Sequence, residues 1–134
     1  MEKIKVMLDT SAYSAYLRGN AEVKQALREA DEIYLNPVVL GELYAGFAHG
    51  GREKKNRDIL RDFFASPRVQ VAVIDEETAE RYTAIITYLW SKGTPIPTSD
   101  LWIAATAMQY GLKLITTDGH YRNVPQIIVE CCNV

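Results

Sequence analysis

Four acids stand where apolar neighbours make a charge costly. Asp9 closes the apolar run over residues 4–8, and Asp118 closes a second run over 113–117. Glu42 lies inside the apolar stretch 38–45, and Asp100 opens the apolar stretch 101–105. An isolated carboxylate in a low-dielectric setting costs several kcal/mol or more unless it is paired or bound to a metal. Four such acids in 134 residues point to convergence on a shared cation. Hard oxygen ligands in a cluster suit Mg2+ or Mn2+. Such an ion lowers the pKa of bound water and neutralises charge developing on a phosphoryl group. A pair of ions about 3.5–4 Å apart clamps the attacking and leaving oxygens of an in-line displacement. The chemistry implied is phosphodiester hydrolysis without a covalent intermediate. The chain has no Cys/His pair and no G-x-S-x-G elbow to act as a rival nucleophile. A phosphatase-like route through Asp9 usually wants a second Asp two residues on, where this chain has Ser11.

Regular elements must position these acids. The run 4–8 reads as a buried parallel strand. Thr10 or Ser11 is expected to cap the next helix, with Ala12, Tyr13, Tyr16 and Leu17 on one face. Asn20 caps a second helix carrying Val23, Ala26, Leu27 and Ala30 at helical spacing. A short strand over 32–35 precedes Asn36-Pro37, a cap followed by proline at the first helical position. That helix carries Glu42, and Gly50-Gly51 ends it. The polar stretch 52–58 leads into a helix with the seam Ile59, Leu60, Phe63 and Phe64, stopped by Ser66-Pro67. A strand over 69–74 follows. The spacing then predicts a helix over 76–92 with Ala79, Tyr82, Ile86 and Leu89 inward, ended by Gly93. Thr98 or Ser99 caps the helix that carries Asp100, which Gly111 ends. Strands over 114–117 and 127–130 complete the pattern.

Alternating strands and helices imply a single domain over 1–134. Its class is α/β, a three-layer α/β/α sandwich with a central, mainly parallel sheet of about five strands. Ligands of such sheets bind outside the carboxyl ends of the strands. Asp9 and Asp118 sit at two such ends. Asp100 lies in the first turn of a helix, where the dipole favours a carboxylate. Glu42 has no such local support, so its side chain is expected to reach a polar site. Gly41 and Gly46 weaken that same helix, which close approach of another helix or subunit would justify.

The net charge of −2 provides no global basic field, so attraction of a polyanion must come from local cations. Arg52, Lys54, Lys55, Arg57 and Arg61 are candidates for phosphate contact, although Glu53 and Asp58 interleave them. The only cysteines, Cys131 and Cys132, are adjacent and form no spaced framework, which fits a reducing cytoplasmic compartment. No signal peptide is expected at the N-terminus, and no run of about 18 apolar residues could span a bilayer.

Leu8-Asp9-Thr10-Ser11, Glu42 in its helix, Ser99-Asp100-Leu101-Trp102-Ile103-Ala104-Ala105-Thr106-Ala107 and Thr116-Thr117-Asp118-Gly119-His120-Tyr121 follow in that order. Together they resemble the motifs of PIN-domain proteins, in particular the VapC-type toxins of toxin–antitoxin pairs. The resemblance covers nearly the whole chain. It implies a PIN-like fold and a Mg2+- or Mn2+-dependent endoribonuclease, acting on transfer or ribosomal RNA and neutralised by a small antitoxin. It further implies a homodimer that meets DNA only through the antitoxin complex and has no membrane role. Asp9, Glu42, Asp100 and Asp118 match the family's acidic quartet. Thr10 or Ser11, and Thr117, match small hydroxyl positions that bond carboxylates or metal waters. Arg52, Lys54, Lys55 and His120 are candidate substrate contacts. Tyr121 stands where Phe is common, a change expected to be neutral. The alternative is a binding module of the same fold that works mainly through an antitoxin–repressor complex, with little nuclease activity.

Overall fold

The apolar runs become five short strands: β1 (Lys5–Leu8), β2 (Glu32–Leu35), β3 (Val69–Val71), β4 (Lys113–Thr116) and β5 (Val129–Cys131). They form one sheet in the order β3-β2-β1-β4-β5. Every pairing is parallel, with Leu8 of β1 opposite Ile115 of β4. The molecule is known from a computed structural model that describes residues 2–134. Parallel strands need crossovers, and among the described residues six α-helices supply the first three: α1 (Thr10–Leu17), α2 (Ala21–Glu29), α3 (Pro37–His49), α4 (Glu53–Phe64), α5 (Glu76–Lys92) and α6 (Thr98–Tyr110). A short 3-10 turn, Gly119–Asn123, lies in the fourth, between β4 and β5. The chain moves outward from β1 to β2 to β3, then returns past β1 to β4. Right-handed crossovers therefore put α1–α4 on one face and α5–α6 on the other.

Burial on both faces explains the uninterrupted apolar character of the central strands. Val6, Met7, Leu8, Leu114 and Ile115 are wholly buried. Burying each such side chain contributes about 1.5–3 kcal/mol, which makes β1 and β4 the most firmly held part of the sheet. The site residues hang from their ends.

Local chemistry sets most boundaries where the sequence places them. Asn20 and Asn36 accept from the backbone N–H groups of Val23 and Val39, capping α2 and α3. Gly93 and Gly111 end α5 and α6 in the left-handed conformation, each at φ +66°, which a side chain would strain. Asp75 and Thr78 form a capping box at the start of α5.

Several expectations need correction. Asp9, not Thr10 or Ser11, caps α1, accepting from Ala12 N–H. Helix α6 starts at Thr98 without any side-chain cap, because neither Thr98 nor Ser99 occupies the cap position. The polar stretch 52–58 is already helical from Glu53 onward. Strand β3 stops at Val71, since the chain leaves the sheet to reach the Asp75 cap, and β5 begins two residues later than expected. The inward face of α5 is Thr78, Ile85 and Leu89, with Tyr82 and Ile86 half-buried, while Ala79 is exposed. Among the described residues no helix is long and apolar enough to cross a membrane.

Candidate functional site

The strand order turns back at β1 and β4, and a crevice opens at their carboxyl ends. Such a reversal is the usual ligand position in an open α/β sheet. Asp9 follows β1 directly, and Asp118 lies two residues beyond β4. Asp100 enters from the first turn of α6, and Glu42 from the middle of α3. A cleft of about 310 Å³ is lined by all four acids together with Thr10, Ser11, Ser14, Ile103 and Tyr121.

Asp9 is only 4% exposed, and three donors fix its carboxylate. Ser11 Oγ and Ala12 N donate to Oδ1, each at 2.8 Å, and Thr116 Oγ1 donates to Oδ2 at 2.6 Å. Burial nonetheless holds the Asp9 carboxyl above the usual carboxylate range; those bonds pull it down and the Asp100 charge pushes it up. The capping bond and the cleft-facing position are thus two jobs of one side chain.

Asp100 is held from the next loop. Fully buried Tyr121 donates its hydroxyl to Asp100 Oδ1 at 3.0 Å. Burial raises the Asp100 carboxyl, with the Asp118 charge adding to the effect and the Tyr121 and His120 bonds opposing it. Burial, helped by the charges of Asp9 and Asp100, drives the Tyr121 phenol far above its ordinary range, so it remains a donor. Tyr121 thus makes a bond that Phe in its place would lack. Its hydroxyl fixes a site carboxylate, as a phenyl ring cannot.

Asp118 opens a short 3-10 turn, Gly119–Asn123, and caps it by accepting from His120 N at 2.9 Å. His120 Nδ1 stands 3.2 Å from Asp100 Oδ2 and 3.0 Å from Asp118 Oδ1. One donor atom each from Asp100, Asp118 and His120 lies within 4.8 Å of the others. Among the described residues this is the one group of three such side chains close enough to share an ion. Asp9 and Glu42 line the same cleft outside that triplet.

Glu42 reaches the cleft as expected, but not from the apolar setting that the sequence suggests. It is exposed, because the face of α3 bearing Gly41, Glu42, Tyr44, Ala45 and Gly46 is open to solvent. No neighbour of the chain lies within 4 Å of a Cβ built at Gly41 or Gly46. The cost of burial therefore does not explain Glu42. What ties it to the cleft is Thr10 Oγ1, which donates to Glu42 Oε1 at 2.5 Å.

The carboxylate bond expected of Thr117 is made by Thr116. Side chains alternate along a strand, so the Thr116 hydroxyl at the end of β4 faces Asp9. Thr117 contributes its backbone N–H to Ser11 Oγ at 3.1 Å. The sequence reading also missed Ser14 and Ile103. Helical spacing could have found both, since they follow Thr10 by four and Asp100 by three residues. The basic residues of α4 are largely engaged within that helix: Lys54 and Arg61 with Asp58, and Arg57 with Glu53. Arg52 and Lys55 are exposed.

The donors present fit a divalent cation. They are mostly hard carboxylate oxygens, and the charged forms of buried Asp9 and half-buried Asp100 are disfavoured without a counter-ion. The model of the PIN domain family matches residues 6–127. The chain belongs to the PIN domain family, on its VapC branch. Ribonuclease VapC of Rickettsia bellii is 30% identical over 126 residues, spanning 92% of this chain and 93% of the relative. Ribonuclease VapC4 of Mycobacterium tuberculosis is 29% identical over 92 residues, spanning 69% of this chain and 71% of the relative. In three dimensions the PIN fold is shared with VapBC2 from Rickettsia felis bound to a promoter DNA fragment. That chain has a TM-score of 0.83 at 23% identity, covering 96% of this chain and 98% of its own. FitAcB from Neisseria gonorrhoeae has a TM-score of 0.72 at 29% identity, covering 92% and 95%.

Proposed function

We propose that this chain is a divalent-metal-dependent endoribonuclease and the toxin of a toxin–antitoxin pair. The observation that carries this reading is the convergence of Asp9, Glu42, Asp100 and Asp118 on one cleft at the carboxyl ends of β1 and β4. The ribonuclease names of its relatives and the antitoxin complexes among its structural neighbours support it. When bound, Mg2+ or Mn2+ would neutralise charge on the scissile phosphate and make water more acidic. Asp9, Asp100, Asp118 and Glu42 would hold the cation. Ser11 and Thr116 keep Asp9 in one orientation, Tyr121 does so for Asp100, and Thr10 for Glu42. Pre-orientation of this kind lowers the reorganisation needed when the phosphate arrives. The half-exposed hydroxyl of Ser14 would meet the substrate backbone. The substrate is RNA, of the transfer or ribosomal class, in the cytoplasm.

A small antitoxin would cover the solvent-open apolar face of α3, where Gly41, Ala45 and Gly46 permit close approach of a helix. The active protein would be a homodimer, with DNA contacted only through the antitoxin. Exposure of that face also favours the alternative, a binding module with little nuclease activity. The experiment that separates the two is RNA cleavage with Mg2+, with and without chelator, by wild type and Asp9→Asn. Expected is cleavage by wild type alone, abolished by chelator. Equal cleavage by both proteins, or cleavage indifferent to chelator, would remove the nuclease reading. Antitoxin binding without any cleavage would favour the module.

A further inference from the structure

The acidic quartet leaves His120 without a role, yet its position is more defined than that of an incidental surface histidine. The turn Gly119–Asn123 is anchored by wholly buried Tyr121, whose hydroxyl holds Asp100. The backbone N–H of His120 is bonded to Asp118 Oδ1. Both fixings bring the imidazole against Asp100 and Asp118. Its Nδ1 then stands 3.2 Å from Asp100 Oδ2 and 3.0 Å from Asp118 Oδ1. Adjacent ligands of an octahedral ion with bonds of about 2.0–2.2 Å stand about 3 Å apart. The two measured separations match two edges of such an octahedron.

We propose that His120 is a protein ligand of the metal at the Asp118 side of the cleft, through Nδ1, beside one oxygen each of Asp100 and Asp118. The proposal rests on the nuclease reading above and adds a metal preference to it. An all-oxygen site suits Mg2+, whereas imidazole suits first-row transition ions. A nitrogen ligand therefore biases this position toward Mn2+ and its heavier neighbours over Mg2+. The half-exposed imidazole needs no rearrangement of the core to serve, and its removal leaves no cavity.

The test uses the full chain, stripped of metal and reloaded with Mn2+ alone, with Mg2+ as the competing ion. Pulsed electron paramagnetic resonance of bound Mn2+ reads coupling to a directly bonded nitrogen. Expected for wild type is a clear nitrogen coupling and at least tenfold tighter binding of Mn2+ than of Mg2+, measured by titration. In His120→Gln the coupling disappears and the preference for Mn2+ falls several-fold, with an unchanged melting temperature in metal-free buffer. Asp118→Asn weakens both ions together. Mn2+ bound to wild type without nitrogen coupling would overturn the histidine ligand while leaving the carboxylate site standing. Failure of wild type to bind either ion would overturn both.

Discussion

Two residues do more than their types advertise. Tyr121 reads in the sequence as a neutral replacement for Phe, and in the structure it is wholly buried. Its hydroxyl has a second function, since it donates to Asp100. Loss of a group that orients a metal ligand typically costs about 10–100-fold in metal affinity or activity. Tyr121→Phe keeps the ring and removes only the donor. The expected result is an unchanged circular dichroism spectrum, a melting temperature within a few degrees of wild type and at least tenfold weaker Mn2+ binding by titration. Undiminished affinity would return Tyr121 to a purely packing role. The second residue is Asp100, whose carboxyl is raised above the ordinary range by burial. A raised acid binds its proton in the folded protein at a pH where the unfolded chain has released it. Its contribution to stability is therefore complete below the unfolded value of about 3.9 and is lost as pH rises through the folded value. Asp100→Asn removes that loss. In metal-free buffer the melting temperature of the variant relative to wild type should climb as pH rises from about 4 toward neutrality, then level off. Saturating Mg2+ should reverse the order by stabilising wild type alone. A pH-independent difference would show that Asp100 does not carry the strain assigned to it.

At the scale of elements, signals carried by backbone hydrogen bonding were legible, and those depending on what covers a face were not. Asn36-Pro37 announced α3 because the cap and the proline act within one turn. The full length of β3 was illegible, because Ala72 is the last residue bonded to β2 and Val73 beyond it is exposed. An apolar run alone does not say whether a partner strand continues beside it. Glu42 shows the same limit. Its apolar surroundings suggested burial, but the face of α3 around it is open. The site's order was legible through four acids and their spacing, and so were the hydroxyls of Thr10 and Ser11, which bond Glu42 and Asp9. The choice between Thr116 and Thr117 was not, because it turns on β4 ending at Thr116 with that hydroxyl toward Asp9. Asn36 tests how elements carry the site. It is wholly buried, its Oδ1 accepts from Val39 N, and its Nδ2 donates to Thr106 Oγ1 of α6 at 2.9 Å. One side chain thus caps the helix of Glu42 and ties it to the helix of Asp100. Asn36→Ala leaves the buried Val39 N–H without its acceptor, a cost of about 1–3 kcal/mol, and cuts the link to Thr106, whose hydroxyl keeps its bond to Trp102 O. Urea unfolding should show a midpoint lowered to that extent with an unchanged slope. Cleavage measured well below the new midpoint should still fall, because the two acids are no longer held in register.

The whole molecule has a net charge of −2, and no Lys or Arg lines the cleft. Four acids facing a polyanion repel it, and the cations of α4 are mostly committed to their own acids. On the proposed function, attraction must then come from the bound metal more than from protein cations. Binding by lysine and arginine releases counter-ions, and the log–log slope of affinity against salt is about −0.7 per neutralised phosphate of a single strand. Contacts from Arg52 and Lys55 alone would give a slope of about −1 to −2. With a cleavage-resistant RNA analogue, affinity should therefore respond weakly to NaCl and strongly to Mg2+, with at least a tenfold loss on chelation. Lys54→Ala should change little, since that ammonium is already paired with Asp58, 3.0 Å away. Arg52→Ala with Lys55→Ala should flatten the remaining salt slope. A steep slope in the absence of divalent ions would mean that a basic surface away from the cleft captures the RNA. The metal would then serve chemistry alone.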